Sequence, residues 1–146
     1  MSHIPTVPPI VNKVITLVLS SPLHRLLSKT VLLITFTGRK SGNTYTTPVG
    51  YSQNEKQISI FTHHTWWKNL CSNPSVTLRL RGLDVQGRAE PIEDKQIVTD
   101  GLCAHLRKVK SDAKYYDVTY DEHGNPKIDE VAKAAQSAVM ICVQLT

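Results

Sequence analysis

Two short stretches carry residue types whose spacing could do chemistry. The first, Thr37-Gly38-Arg39-Lys40-Ser41-Gly42, sets a guanidinium and an ammonium between two glycines. Glycine lets the backbone turn tightly and bring its N–H groups up to a ligand, while arginine adds a planar fork and lysine a point charge. The pattern predicts an anion clamp; a solvated basic loop is the competing reading, since exposed lysine and arginine are ordinary in turns. The second, His63-His64-Thr65-Trp66-Trp67-Lys68-Asn69-Leu70-Cys71-Ser72-Asn73-Pro74, puts large flat rings beside hydrogen-bonding groups, which suits the wall of a pocket or the plug of a barrel end.

Other chemistries find little support. No serine sits in a nucleophile elbow and no cysteine has a histidine partner by spacing, so no catalytic nucleophile or acid–base residue is assigned. Adjacent His63 and His64 on an extended segment point to opposite faces without a third ligand, and no metal site is expected. Gly-Arg-Lys-Ser-Gly lacks the length and following helix of a phosphate loop. Seventeen basic against twelve acidic side chains give a net charge of +5, which favours an acidic partner such as a phosphorylated cofactor, nucleic acid or anionic lipid. The basic residues are dispersed and few aromatics interleave with them, which argues against nucleic acid. Cys71, Cys103 and Cys142 are odd in number and far apart, so reduced thiols are expected. With no basic leader or cleavage site and no apolar run near the ~20 residues that span a bilayer, a cytoplasmic location follows.

The elements that must position these stretches read as one domain over residues 1–146. Residues 1–20 form a proline-bearing tail and an amphipathic helix, with Ile10, Val11, Val14, Ile15, Val18 and Leu19 on one face. Contact of that helix with a membrane surface is not favoured, because a single lysine makes a poor basic face. Ser21-Pro22 opens a short second helix. Strands are expected over about 30–37, 44–52, 57–62, 76–80, 83–91 and 138–143, from β-branched or alternating composition. Pro48 and Gly50 interrupt the second strand, which marks an edge, a bulge or a close approach by a ligand. Thr65 caps a short helix on which Trp67, Leu70 and Cys71 share one face, whereas Trp66, Asn69 and Asn73 share a more polar one, so one tryptophan is core and the other a wall. A long amphipathic helix spans 94–109, with Ile97 and His105 on its apolar face. The tyrosine-rich loop 111–126 could act as a lid, and a brief helix over 128–135 follows. The fold class is α+β: a small closed or half-open barrel of about six mainly antiparallel strands with flanking helices, because strands of this length otherwise leave hydrophobic edges.

Thr37-Gly38-Arg39-Lys40-Ser41-Gly42, then Pro48, then Trp66-Trp67-Lys68-Asn69-Leu70 with Asn73-Pro74, resembles in order and separation the deazaflavin-dependent nitroreductase family, relatives of the FMN-binding split β-barrel oxidoreductases. The likeness covers Leu32 to Glu90 and, more loosely, the final strand. It implies a split barrel binding coenzyme F420, with FMN as the alternative cofactor. Arg39 and Lys40 would then meet the phosphate and tail carboxylates, and Ser41 and Gly42 would shape the turn. Thr47, Pro48 and Val49 would run beside the ring, with Thr62 and His63 at the neighbouring strand end and Trp66 and Asn69 closing the pocket. Tyr115, Tyr116 and Tyr120 would border the substrate. The resemblance implies a homodimer that transfers hydride to a small electron-poor acceptor such as a quinone, nitro compound or enone; a non-catalytic flavin-like binder is the other alternative. Three features depart from the family: Tyr45 where another basic residue is usual, a short 62–66 segment, and an inserted stretch from Asp117 to Lys133.

Overall fold

The structure, a computed structural model, describes residues 30–146; the tail and both helices expected before residue 30 lie outside the described residues. β1 (Val31–Thr37), β2 (Thr44–Asn54) and β3 (Gln57–Thr62) form a meander, and a five-residue helix α1 (Lys68–Ser72) follows. β4 (Ser75–Leu80) and β5 (Leu83–Ile92) make a second hairpin. Then come α2 (Lys95–Lys108), a 3-10 helix (Lys110–Tyr116), α3 (Ile128–Ala135) and β6 (Val139–Leu145).

Every strand pairing is antiparallel, and the sheet closes in the order β1-β2-β3-β6-β5-β4. Closure removes the edges that strands this apolar would otherwise expose. Alternation then places Leu32, Ile34, Phe36, Ile58, Ile60, Leu78, Ile141 and Val143 inside the barrel. A second apolar cluster lies outside it, where Val98, Leu102 and Leu106 of α2 and Val131 and Ala135 of α3 meet Phe61 and Met140. Asp94 caps α2 by accepting from the Gln96 and Ile97 N–H groups, which satisfies donors the helix cannot. At Gly101 an added Cβ would fall 2.7 Å from the Met140 sulfur, so α2 lies hard against β6 at this residue. Among the described residues, no helix is long and apolar enough to cross a membrane.

Several local expectations are corrected. Trp66, assigned to the more polar face, is the buried ring at 2% exposure and stacks on Phe36, whereas Trp67 is only half-buried. Cys71 is exposed rather than core-facing. The physical reason is that α1 begins at Lys68, so both tryptophans precede the helix and its 3.6-residue phase does not govern them. Ile97 is 48% exposed despite its place in the apolar pattern. The loop after α2 holds a 3-10 helix and a Tyr120–Pro126 bridge that its polar composition did not suggest.

Candidate cofactor cleft

β2 serves two neighbours along different parts of its length. Its Thr44–Gly50 half pairs with β1, but only Tyr51–Asn54 pairs with β3. Beyond Ile60, β3 continues against β6 alone, Phe61 facing Met140 and Thr62 facing Val139, so β2 and β3 part. The Tyr51 N–H donates to the Thr30 carbonyl at 3.0 Å, which sets the alternation along β2. Val49 and Thr47 therefore also turn their backbone groups to β1, whereas Gly50 and Pro48 turn theirs to the parted side. Proline fits there because no ladder partner asks for its missing N–H.

The parting opens a cleft of about 710 Å³. Thr47, Pro48, Val49 and Gly50 form one wall, and Phe61, Thr62, His63 and His64 form the other. Trp66 closes one side, and residues of the 3-10 helix, Asp112, Lys114, Tyr115 and Tyr116 among them, close another. Thus Thr47, Pro48, Val49, Thr62, His63, Trp66, Tyr115 and Tyr116, singled out from sequence, come together on one surface.

The basic turn stands next to this cleft and is tied to it. Gly42 adopts φ +73, the left-handed conformation that glycine enters without a Cβ penalty. Gly38 donates to the Asn43 carbonyl at 2.8 Å, and its bare Cα lies under the Tyr45 ring: an added Cβ would meet Cε2 at 2.5 Å. Tyr45 Oη and Ser41 Oγ are hydrogen-bonded at 3.0 Å. The residue that departs from the family's basic pattern therefore packs over the turn and braces it. Fully buried Asn69 accepts from the Arg39 backbone N–H and from Arg39 Nη1, both at 2.9 Å, and donates from Nδ2 to the Trp66 carbonyl at 2.8 Å. Arg39, Lys40, Ser41, Gly42 and Asn69 do not line the cleft; they join it through this Arg39–Asn69–Trp66 chain of contacts. Lys40 is exposed and, among the described residues, has no ion-pair or hydrogen-bond partner.

Of the three tyrosines, Tyr115 is 70% exposed at the cleft mouth. The Tyr116 ring packs against His63, with centroids 5.5 Å apart. Burial and, second, the charge of Asp112 push its phenol up to about 12. Both also line an adjoining hollow of about 320 Å³ with Lys133 and Ser137, and the His63 Nδ1 lies 3.2 Å from the Ser137 carbonyl. Asp117, Glu130 and Lys133 of the inserted stretch thus line a hollow next to the cleft. Tyr120 stands apart from the other two: it is absent from the cleft wall, and its hydroxyl donates to the Leu106 carbonyl at 2.7 Å, which fixes the loop to α2. Sequence reasoning missed His64, Asp112 and Lys114. His64 carried a signal as the neighbour of His63, but nothing in a polar loop marked Asp112 or Lys114 for the cleft.

A barrel whose strands part beside a basic turn, leaving a flat-walled cleft, defines a split-barrel protein for a flavin-like, anionic cofactor. The chain belongs to the F420H(2)-dependent quinone reductase family, whose sequence model matches residues 19–123. Membership makes it an oxidoreductase with F420 as cofactor. Solved structures share the fold. A FAD-binding protein from Mesorhizobium loti is 13% identical with a TM-score of 0.55, over 96% of this chain and 91% of that one. A conserved hypothetical protein from Mycobacterium tuberculosis is 13% identical with a TM-score of 0.59, over 83% and 79%. An F420-H2 dependent reductase is 16% identical with a TM-score of 0.50, over 80% and 95%. No curated protein matches the chain.

The residues present fit such a group. Pro48 offers a carbonyl, and Gly50 an N–H, on the side of β2 that parts from β3, complementary to the donors and acceptors on a planar heterocycle. The volume falls within the ~300–1,000 Å³ usual for sites of this kind.

Proposed function

We propose that the protein reduces a small electron-poor acceptor, a quinone in the first instance, at the cleft between β2 and β3. The observation that carries this reading is the open edge of β2 in a flat-walled cleft, linked through Asn69 to a basic turn. Reduced F420, when bound, supplies a hydride from C5 of its ring.

The chain's own residues position and screen. Thr47, Pro48 and Val49 hold the ring's edge, Trp66 gives it a flat wall, and Thr62 and His63 bound it at the end of β3. Arg39 and Lys40 meet the phosphate and carboxylates, Ser41 and Gly42 hold the turn in shape, and Asn69 holds Arg39. Charge-assisted hydrogen bonds of this type are about twice as strong as neutral ones. Tyr115 and Tyr116 border the acceptor. The Tyr116 phenol is protonated at neutral pH, as an ordinary tyrosine is, and burial pushes it further up, so it can donate a hydrogen bond to an acceptor oxygen that gains negative charge as it is reduced. Solvent or this phenol then supplies the proton. Orientation of acceptor against donor accounts for much of the rate, up to about 7–11 kcal/mol in the most favourable arrangements. The whole chain forms one domain and works as a cytoplasmic homodimer on a small-molecule acceptor.

The test is titration of the purified protein with F420 and with FMN, followed by tryptophan quenching, and then turnover of the bound reduced cofactor with a simple naphthoquinone and a nitroaromatic. Binding of F420 and quinone-dependent reoxidation are expected. Tighter binding of FMN would replace the cofactor, binding without reoxidation by either acceptor would make this a ligand-binding protein, and no binding below the high-micromolar range would overturn the reading.

A further inference from the structure

Against the outer face of Gly50 lies a carboxylate–imidazole pair that the proposed reaction leaves unused. Asp112 comes from the 3-10 helix and lines the cleft, with 18% of its side chain exposed. Its Oδ2 accepts from His105 Nε2 at 2.9 Å. His105 projects from α2, is 2% exposed, and packs its ring on Phe61 with centroids 5.3 Å apart. A Cβ added to Gly50 would sit 3.3 Å from Asp112 Oδ2, so the carboxylate lies directly on the part of β2 whose edge is open. Asp112 is the one acidic residue on the cleft wall among the described residues; the wall's lysine, Lys114, places its ammonium over the Tyr115 ring, 5.2 Å from the centroid.

The geometry also favours one tautomer of His105. His105 Nδ1 is buried without a hydrogen-bond partner. An imidazolium would leave an N–H donor unmet there, whereas the Nε2–H tautomer leaves only a lone pair among apolar neighbours. In that tautomer the pair carries the charge of the carboxylate. That charge already reaches across the cleft, where it adds to the burial that holds the Tyr116 phenol up.

We propose that Asp112, held in place by His105, tunes the hydride carrier bound in the cleft by disfavouring its reduced form. The inference rests on the cleft being the cofactor site. A ring that accepts a hydride gains one proton and two electrons and, where it takes up no further proton, becomes one unit more negative; this anionic reduced form is the one the carboxylate disfavours. When the hydride passes to the acceptor, its electron pair forms the new bond there, and the acceptor's oxygen later takes a proton from solvent. A fixed carboxylate beside the ring in a partly desolvated cleft therefore raises the reduced state relative to the oxidised one. It makes the bound reduced carrier a stronger donor. His105 acts through Asp112 and is a positioning residue.

The deciding measurement is a pair of dissociation constants, for oxidised F420 and for F420H2, determined by tryptophan quenching under anaerobic conditions. Asp112→Asn keeps an oxygen that accepts from His105 Nε2 and removes only the charge. The ratio of the reduced-form to the oxidised-form constant should fall about tenfold in this variant, which corresponds to a rise of about 30 mV in the potential of a two-electron carrier. Asp112→Ser, smaller and also uncharged, should move the ratio the same way. His105→Phe frees the carboxylate to swing into solvent; it should lower the ratio in the Asp112 background and leave it unchanged in the Asp112→Asn background. A ratio within twofold of the parent value in both Asp112 variants, with both forms still binding, overturns the inference. Failure of the parent protein to bind either form overturns the cofactor reading instead.

Discussion

Asn69→Ala tests whether the basic turn belongs to the site or merely adjoins it. Asn69 is fully buried and makes three hydrogen bonds: two accepted from Arg39 at 2.9 Å and one given to the Trp66 carbonyl at 2.8 Å. A neutral hydrogen bond contributes about 1 kcal/mol net and one to a guanidinium about 1.5–3 kcal/mol, while the Trp66 carbonyl keeps the Asn69 backbone N–H at 3.0 Å after truncation. A loss of about 3–4 kcal/mol follows, which for a chain of this size lowers the melting temperature by roughly 6–16 °C. The same change releases Arg39 from the cleft side of the turn, so F420 binding should weaken along with stability. Two measurements are needed, a thermal melt and a cofactor titration at low temperature, where the variant is still folded. The double variant Arg39→Ala with Asn69→Ala should lose about 1 kcal/mol or more less than the two single losses summed, because both remove the same contact. An Asn69→Ala protein that melts with the parent and binds F420 equally well would refute the argument that this amide couples turn and cleft.

The remaining predictions concern charge, ionisation and backbone. Lys40→Ala should weaken F420 binding several-fold with a shallower salt dependence and no change in melting temperature, since the ammonium is exposed. Arg39→Ala should do the same to binding and also cost about 1–2 kcal/mol of stability, because Nη1 is engaged by Asn69. The Tyr116 phenol, pushed up to about 12 from its ordinary 10 chiefly by burial, disfavours the folded state only when it must ionise. Its contribution is therefore unchanged below pH 10 and is lost as the pH rises from 10 towards 12, by roughly 2–3 kcal/mol; alkaline unfolding of Tyr116→Phe should lack that component. Gly42→Ala should cost about 1 kcal/mol from its φ of +73 alone, as no atom lies within 4 Å of the added Cβ; a loss several times larger in urea melts would mean that the turn is packed rather than open.

How far the sequence disclosed the fold depended on whether a pattern was local. Alternation in Gln57–Thr62 and Val76–Leu80 placed β3 and β4, because burial on one face leaves a period of two that needs no partner to be seen. The spacing of Val98, Leu102 and Leu106 marked α2 for a similar reason. The faces of the short tryptophan segment were not legible: Trp66 precedes α1, and stacking on Phe36, thirty residues away in sequence, decides its burial. Asp112 was not legible either. Its partner His105 lies seven residues earlier across the end of a helix, and the 3-10 helix that turns it towards Gly50 has no hydrophobic period.

The cleft itself was announced only by Pro48 and Gly50, and the reason is physical. What opens it is a change of partner along one strand: β2 follows β1 to Gly50 and β3 only from Tyr51 onward. Strand pairing is a relation between distant segments, so no residue encodes it alone. A residue can only be compatible with the unpaired side, as proline is because it has no N–H to leave unmet. The groups that would then be presented to a ring are the carbonyl of Pro48 and the N–H of Gly50, which are common to nearly all residues. On the proposed reading, recognition of the ring would rest on backbone that side-chain substitution cannot delete, whereas the grip on the acidic tail would rest on Arg39 and Lys40 and the tuning charge on Asp112. Side-chain variants at these three positions should accordingly alter affinity, salt dependence and potential while leaving the ring's seat between β2 and β3 in place.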